Sequence, residues 1–350
     1  MSDTFIKPLS SDPLDAIRIA STHAPYLARL LQRQGEALTE HGARGLFDKA
    51  MADIAASKDL ETPEDTMRAL RVTKAQAHLS IAALDLSGQD NLSETTQRIS
   101  GLADGVVEAA LQVAACKMGL TCDGLFMIAL GKMGALELNY SSDIDMAAFF
   151  DGDVFDGGKR DAVDAASRIV REAMRLLDER TGDGYVFRTD LRLRPDPSSN
   201  PLAISTRRAE LYYESVGQNW ERMVWIKGRA SAGDKTAAAA FLDTMRPFVW
   251  RRHLDYWAIA DVQAIKNMIN TKAGGNALEE AAPDVKLGPG GIREIEFFVQ
   301  TQQLILGGRN PDLRVRGTLA GLVELVTMGA VEQATADDLA TAYHILRAVE

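Results

Sequence analysis

Apolar positions recur at two different periods along this chain, and the change of period divides it into regions. The first part reads as helices. Asp12-Pro13 places an N-cap before a proline at the first helical position, and Thr62-Pro63 repeats the device with Asp65 in the first turn. Ser93 is the expected cap of a longer helix in which Ile99, Leu102, Val106, Ala109 and Val113 recur at helical spacing, so one face should be buried. The pattern then shortens. LFMIAL (125–130) and IDMAAFFD (144–151) are brief continuous apolar runs of the kind that buried strands show. Val163, Ala166, Val170, Ala173 and Leu177 trace another helix, ended by Thr181-Gly182-Asp183-Gly184. YVFRTDLRLR (185–194) alternates, with Val186, Arg188, Asp190 and Arg192 on one face, and predicts a third strand. After the loop RPDPSSNP (194–201) the chain reads as mainly helical, interrupted by KAGGN (272–276) and KLGPGG (286–291). Three regions follow: helical over 1–119, a mixed core over 120–203, and mostly helical over 204–350. The final LATAYHILRAVE stops inside an amphipathic pattern without a cap, and predicts that the natural protein continues.

Composition and charge narrow the classes. At 350 residues, two or three domains are expected. A 46% hydrophobic and 25% charged composition is that of a globular protein. No apolar run is expected to span a bilayer, and MSDTFIKPLSSDPLD has no basic-then-apolar signal pattern. Cys116 and Cys122 match no zinc spacing, which together with the missing signal predicts thiols in a reducing, cytoplasmic compartment. A net charge of −10 disfavours a nucleic-acid partner but leaves room for a nucleotide, which needs only a local site.

The chemistry centres on GKMGALELNYSSDIDM (131–146). Residues i and i+2 of a strand point the same way, so Asp143 and Asp145 should project together while Ile144 and Met146 face the opposite side. Two adjacent carboxylates repel unless a cation lies between them. Magnesium takes one or two protein carboxylates and completes its shell with water and phosphate oxygens. Asp190, on the predicted third strand, can join them, and a pair of metals so held would stabilise attacking and leaving oxygens at phosphorus. Gly131, Lys132 and Gly134 form a small-residue turn whose backbone N–H groups can approach a phosphate, and Ser142 can donate to one of its oxygens. This is no Walker A loop. An isolated D-x-D is more often a turn or solvated edge. The ordered series of strand, turn, Ser-Asp-x-Asp, helix and Asp-bearing strand points instead to nucleotidyl transfer.

Other residues carry weaker signals. Trp220, Trp225, Trp250 and Trp257 could stack on adenine but fit helix cores better. Arg192, on the face of Asp190, is a better phosphate ligand than Arg194, although either could form an ordinary ion pair. Glu294 and Glu296 either support the site or belong to a capped helix packed on it. No histidine forms a zinc pattern, and His253 reads as a helix residue.

GKMGALELNYSSDIDM resembles the G-K-L-G-G-x-E-L-N-[FY]-x-S-D-[IL]-D-[LM] motif of the glutamine synthetase adenylyltransferase/adenylyl-removing enzyme family. The resemblance continues through FRTDLRLRP (187–195), NWERMVWIKGRASAGD (219–234) and KLGPGGIREIEFFVQTQQLILGGR (286–309). It implies an α+β fold, with a nucleotidyltransferase domain like that of DNA polymerase β set between mostly helical regions. It also implies Mg2+ held by Asp143, Asp145 and Asp190, and a phosphate-contacting turn at Gly131, Lys132, Gly134 and Ser142. The family has two related halves: one removes AMP from a tyrosine of glutamine synthetase by phosphorolysis, giving ADP, and the other adds AMP from ATP. The starting methionine and helical region, ELNYSSDID, and GGIREIEF in place of GGITDIEF resemble the removing half. Glutamine synthetase, the PII signalling protein, ATP, ADP, phosphate and glutamine are the implied partners, with no nucleic acid and no membrane. The alternatives are the adenylylating half, another nucleotidyltransferase, or a non-catalytic regulatory module. Ala135, where a second glycine is common, and RPDPSS, where R-P-F-G is usual, depart from the pattern.

Overall fold

A computed structural model describes residues 7–60, 62–252 and 284–350. The chain forms two compact units, one of residues 1–209 with 229–241 and one of residues 210–228 with 242–350.

The first unit opens with helices α1 (Pro13–Ser21), α2 (Pro25–Ala56, kinked at Gly42), α3 (Pro63–Leu86) and α4 (Leu92–Lys117). Asp12 caps α1 by accepting from Asp15 N at 2.8 Å, and Thr62 caps α3 by accepting from Asp65 N at 3.1 Å, as the sequence predicts. The cap of α4 is different. Asn91, not Ser93, holds the position, because Asn91 and Glu94 satisfy each other's backbone N–H groups at 3.0 and 2.8 Å. A reciprocal box satisfies two orphan donors where a lone serine satisfies one.

Ile99, Leu102, Val106, Ala109 and Val113 are buried as expected, but so are Ala103, Val107, Ala110 and Leu111. This corrects the membrane reading: α4 contains an 18-residue stretch with a mean hydropathy of 1.3, long and apolar enough by length and composition to cross a bilayer. Polar residues such as Asp104 and Glu108 break its apolar run, which is why a search for continuity passes over it. Two-thirds of that stretch, 67%, is buried against the rest of the protein, so its apolar surface is consumed in packing.

A five-stranded sheet follows: β1 (Leu125–Ala129), β2 (Ile144–Phe150), β3 (Thr189–Asp190), β4 (Ala203–Ser205) and β5 (Arg229–Gly233). β1 lies antiparallel between β2 and β5, while the far edge of β2 is shared by the short parallel strands β3 and β4. The one-turn helix α5 (Gly131–Gly134) joins β1 to the β2 approach, and α6 (Ala162–Asp178) follows β2. Met127, Ile144, Met146 and Ala148 share one core with α4 and α6. On the opposite face Phe149 stacks against Phe241 with ring centroids 4.7 Å apart.

Two sequence expectations fail here. Only Thr189 and Asp190 of the predicted strand 185–194 pair with a neighbour. Arg192 N bonds back to the Asp190 carboxylate at 2.8 Å, turning the chain, and the Val186 and Phe187 amides both bond to Leu177 O. Alternation cannot distinguish a strand from a segment bent by its own side-chain bonds. β5 lies where the sequence predicts helix, because RASAG contains small residues and no β-branched or aromatic ones.

Arg71 is 2% exposed and joins α3 to the end of α6, donating to Met67 O, Leu176 O and Gly184 O at 2.7, 3.0 and 2.9 Å and also to Glu179 O.

The second unit is helical among its described residues. It takes in the last part of α7 (Thr206–Ser215), α8 (Asn219–Ile226), and the second half of α9 (Lys235–Val249). The remaining helices are α10 (Ile292–Leu306), α11 (Thr318–Thr327) and α12 (Gln333–Val349). Arg222 is buried and bonds to Phe248 O and Val249 O, each at 3.0 Å. Lys227 pairs with Glu296 at 2.9 Å, and Glu294 accepts from Gly290 N, so both glutamates act within this unit. Trp225 is core, Trp220 is exposed, and Trp250 lies beneath the Arg314 guanidinium. Trp257, His253 and KAGGN fall outside the described residues.

Candidate active site

The candidate site lies at the start of β2. Asp145 is its second residue and stands in register with Asp190 on the neighbouring parallel strand, as Ile144 does with Thr189. Parallel strands in register put the two carboxylates on one face of the sheet, side by side across the strand spacing of about 4.8 Å. Ile144 and Met146 point into the core on the other face, as expected. Asp143, one residue before β2, is exposed and accepts from Arg188 Nε, while Arg188 also donates to Ser141 O at 2.7 Å.

Gly131 presses against Asp145. A Cβ at Gly131 would lie 2.5 Å from Asp145 Oδ2, and the residue adopts φ +52°, so both space and backbone call for glycine. The sequence placed GKMG in a turn before a short helix; the structure makes it a helical turn itself, with Gly134 N bonded to Leu130 O at 2.8 Å. Lys132 is half-buried on this turn. The helix closes at Ala135 with φ −80°, so the alanine found where glycine is common carries no backbone strain. The left-handed residue is Leu136, at φ +62°. Glycine is usual at that closing position, and a non-glycine residue held there costs roughly 1 kcal/mol or more. Ser142 Oγ accepts from Asn139 N at 3.1 Å and fixes the turn before Asp143.

Arg192 forks onto Asp190, with Nε 3.0 Å from both carboxylate oxygens and the terminal nitrogen 2.6 Å from Oδ2. This pairing holds Asp190 below the usual carboxylate range. The guanidinium of Arg192 is itself raised by Asp190 first, then by Asp145 and Asp143, so it stands in the field of all three acids. Arg194 does something else. It is buried and donates to the carbonyls of Leu191, Pro197, Asn200 and Pro201, holding the loop that replaces R-P-F-G. Arg188 was not singled out from the sequence, although its alternation with Asp190 and Arg192 was visible there.

A depression of about 680 Å3 adjoins these groups, with Asp143 and Asp190 in its wall but not Asp145. Among the described residues, no three or more His, Cys, Asp or Glu side chains form a group that could hold a metal ion. Asp143 and Asp190 are each drawn to an arginine. The donor chemistry nonetheless fits magnesium. It is all oxygen, it presents the Asp145–Asp190 pair on one face, and Gly131 lets the Asp145 carboxylate lie against the backbone where any side chain would displace it.

Helices around a small mixed sheet, with acids at a strand end beside an arginine-bearing depression, define an α+β protein with an oxygen-donor site. The family sequence model described as Glutamate-ammonia ligase adenylyltransferase matches residues 14–244, and one described as GlnD PII-uridylyltransferase matches residues 263–350. The chain belongs to the glutamate-ammonia ligase adenylyltransferase family. It is 48% identical over 349 residues to a Caulobacter vibrioides protein named bifunctional glutamine synthetase adenylyltransferase/adenylyl-removing enzyme, covering 93% of this chain and 35% of that one. A Mesorhizobium japonicum protein of the same name is 45% identical over 348 residues, again 93% of this chain and 35% of its own. The chain thus spans about a third of the length of the curated relatives it matches.

Proposed function

We propose that this chain is a nucleotidyltransferase that removes AMP from adenylyl-tyrosine of glutamine synthetase by phosphorolysis, releasing ADP. The observation that carries the reading is the in-register pairing of Asp145 with Asp190 beside Gly131, within the segment matched by the family. The direction rests on the likeness of ELNYSSDIDM and GGIREIEF to the removing half. Asp143, Asp145 and Asp190 would hold Mg2+, which when bound supplies positive charge to the oxygens at the reacting phosphorus.

The chain's own residues do the rest. Gly131 and Lys132 open the turn of α5 beside Asp145. The Ser142 hydroxyl, already accepting one bond, keeps its proton to donate. Arg192, 83% exposed on its side chain, can turn its guanidinium from Asp190 to a phosphate oxygen, while Asp190, 16% exposed, keeps the bond from Arg192 N. The leaving phenol has a pKa near ~10, so it departs with modest help.

PII is a proposed regulatory partner, supported by the second family match over 263–350, with glutamine, ATP and ADP as ligands and the cytoplasm as the setting. The test pairs two incubations in magnesium: adenylylated glutamine synthetase with phosphate, and unmodified glutamine synthetase with ATP. Mass spectrometry of the tyrosine should show AMP lost in the first and not gained at a comparable rate in the second. Gain from ATP without loss to phosphate would reverse the assignment to the adenylylating direction; neither reaction would favour a regulatory module.

A further inference from the structure

The depression beside Asp143 and Asp190 has a wall that the carboxylate site does not explain. Five of its lining residues are arginines, Arg171, Arg175, Arg188, Arg192 and Arg194, against three aspartates, in a chain whose net charge is −10. The five are not equivalent. Arg175 is fixed between Glu172, at 2.8 and 3.0 Å, and Glu179, at 2.7 Å. Arg194 is committed to loop carbonyls, and Arg188 and Arg192 pair with the acids of the site. Arg171 stands apart. It is exposed on α6, one turn before Arg175 on the face that lines the depression, and has no carboxylate partner among the described residues.

Asp145 is absent from this wall, so the depression lies to one side of the Asp145–Gly131 contact rather than over it. Arg171, with no carboxylate partner among the described residues, joins two arginines whose own side chains are exposed, Arg188 and Arg192, in a pocket ready for an oxyanion. A guanidinium binds phosphate through two parallel N–H bonds, and the half-exposed Arg188–Asp143 pair is worth little, so exchanging its carboxylate for a phosphate costs little. We infer that the depression lined by Arg171, Arg188 and Arg192 is the seat of free inorganic phosphate, distinct from the position of the AMP group.

The inference rests on the phosphorolytic reading and deepens it. A phosphate oxygen seated there forms the new bond to the adenylyl phosphorus as the bond to the tyrosyl oxygen breaks. The proton of hydrogen phosphate passes to the departing phenolate, leaving ADP and tyrosine. Arg171 acts on the incoming phosphate alone, because the AMP group and the protein substrate are bound elsewhere.

Phosphate and ATP are titrated separately into the parent chain, Arg171→Gln and Arg171→Lys by calorimetry, in magnesium and without protein substrate. Arg171→Gln should weaken phosphate about tenfold, with Arg171→Lys between it and the parent, and with ATP affinity and melting temperature unchanged. In turnover, the phosphate KM should rise while the KM for adenylylated glutamine synthetase holds. Unchanged phosphate affinity in Arg171→Gln, or weakening confined to ATP, overturns the inference. ADP formation with a phosphate KM indifferent to Arg171 would sink this site and leave the phosphorolytic reading standing. Arg171-dependent phosphate binding without any ADP formation would do the reverse.

Discussion

Asp143 and Arg188 form an ion pair with both side chains about half exposed, 50% and 52%. Such pairs contribute roughly 0–1 kcal/mol, so Asp143→Asn should barely move the melting temperature. Turnover with saturating magnesium should nevertheless fall by about a hundredfold or more, the scale on which groups that stabilise transition-state charge matter. Gly131→Ala tests the other side of the site. The left-handed backbone alone should cost roughly 1 kcal/mol, and the clash with Asp145 Oδ2 at 2.5 Å should add to it. Placed in an Asp145→Ala background, the same change should cost less, and a double-mutant cycle of thermal denaturation reads the difference. Equal costs in the two backgrounds would show that glycine is there for backbone reasons only. The placement of Asp145 at the head of a buried strand and of Gly131 in a turn before it is legible in the sequence, because a short apolar run and the small residues bounding it need no tertiary knowledge. Arg188 escaped notice because its role depends on a partner 45 positions away. Arg194 looked like a ligand because nothing in LRLRP shows that its guanidinium turns back onto its own loop.

At the scale of elements, periodic segments were read well and short ones poorly. The helical stripes on α4 and α6 bury the residues they promised, except Val163, which is 36% exposed near the start of α6. Strands of two or three residues leave no period to read, so the alternation over 185–194 overextends β3, and β4, just past the loop 194–201, has no signal of its own. What joins such pieces is again an arginine. Arg71 replaces water for four carbonyls at the junction of α3 with the end of α6. Arg71→Ala leaves those acceptors buried, and a loss of about 3 kcal/mol is expected. A denaturant titration would register it as a lower midpoint with an unchanged slope. Arg71 touches no candidate site residue, so turnover per folded molecule should persist.

For the whole molecule, acidity enters through the helices rather than the sheet. Burial pushes the Asp85 carboxyl up from 3.8 to about 6, against the opposing pull of the Thr95 hydroxyl. A raised carboxyl favours folding while protonated. Its contribution is therefore complete below the unfolded value near 3.8 and is lost as pH climbs through about 6. Asp85→Asn should remove that dependence and leave the fold more stable at pH 7 by about 1–3 kcal/mol. Urea midpoints for parent and variant at pH 4 and pH 7 check it: the gap should open with rising pH, and a gap that closes would contradict the assignment.

The packing of α4 also sets a timetable for synthesis. Its apolar faces are covered by α2 and α3, made before it, and by α6 and β5, the strand that ends at Gly233, made after it. A ribosome making about 5–20 residues per second finishes α4 roughly 5–20 s before its last covering strand exists. Through that interval the nascent chain leaves the α6 and β5 faces uncovered on a segment with the length and hydropathy of a bilayer-spanning helix. The cell must keep it from membrane-insertion machinery and from other nascent chains. Translation halted after α4 but before residue 229 should therefore yield chains held by chaperones, whereas chains extended through residue 241 should be released.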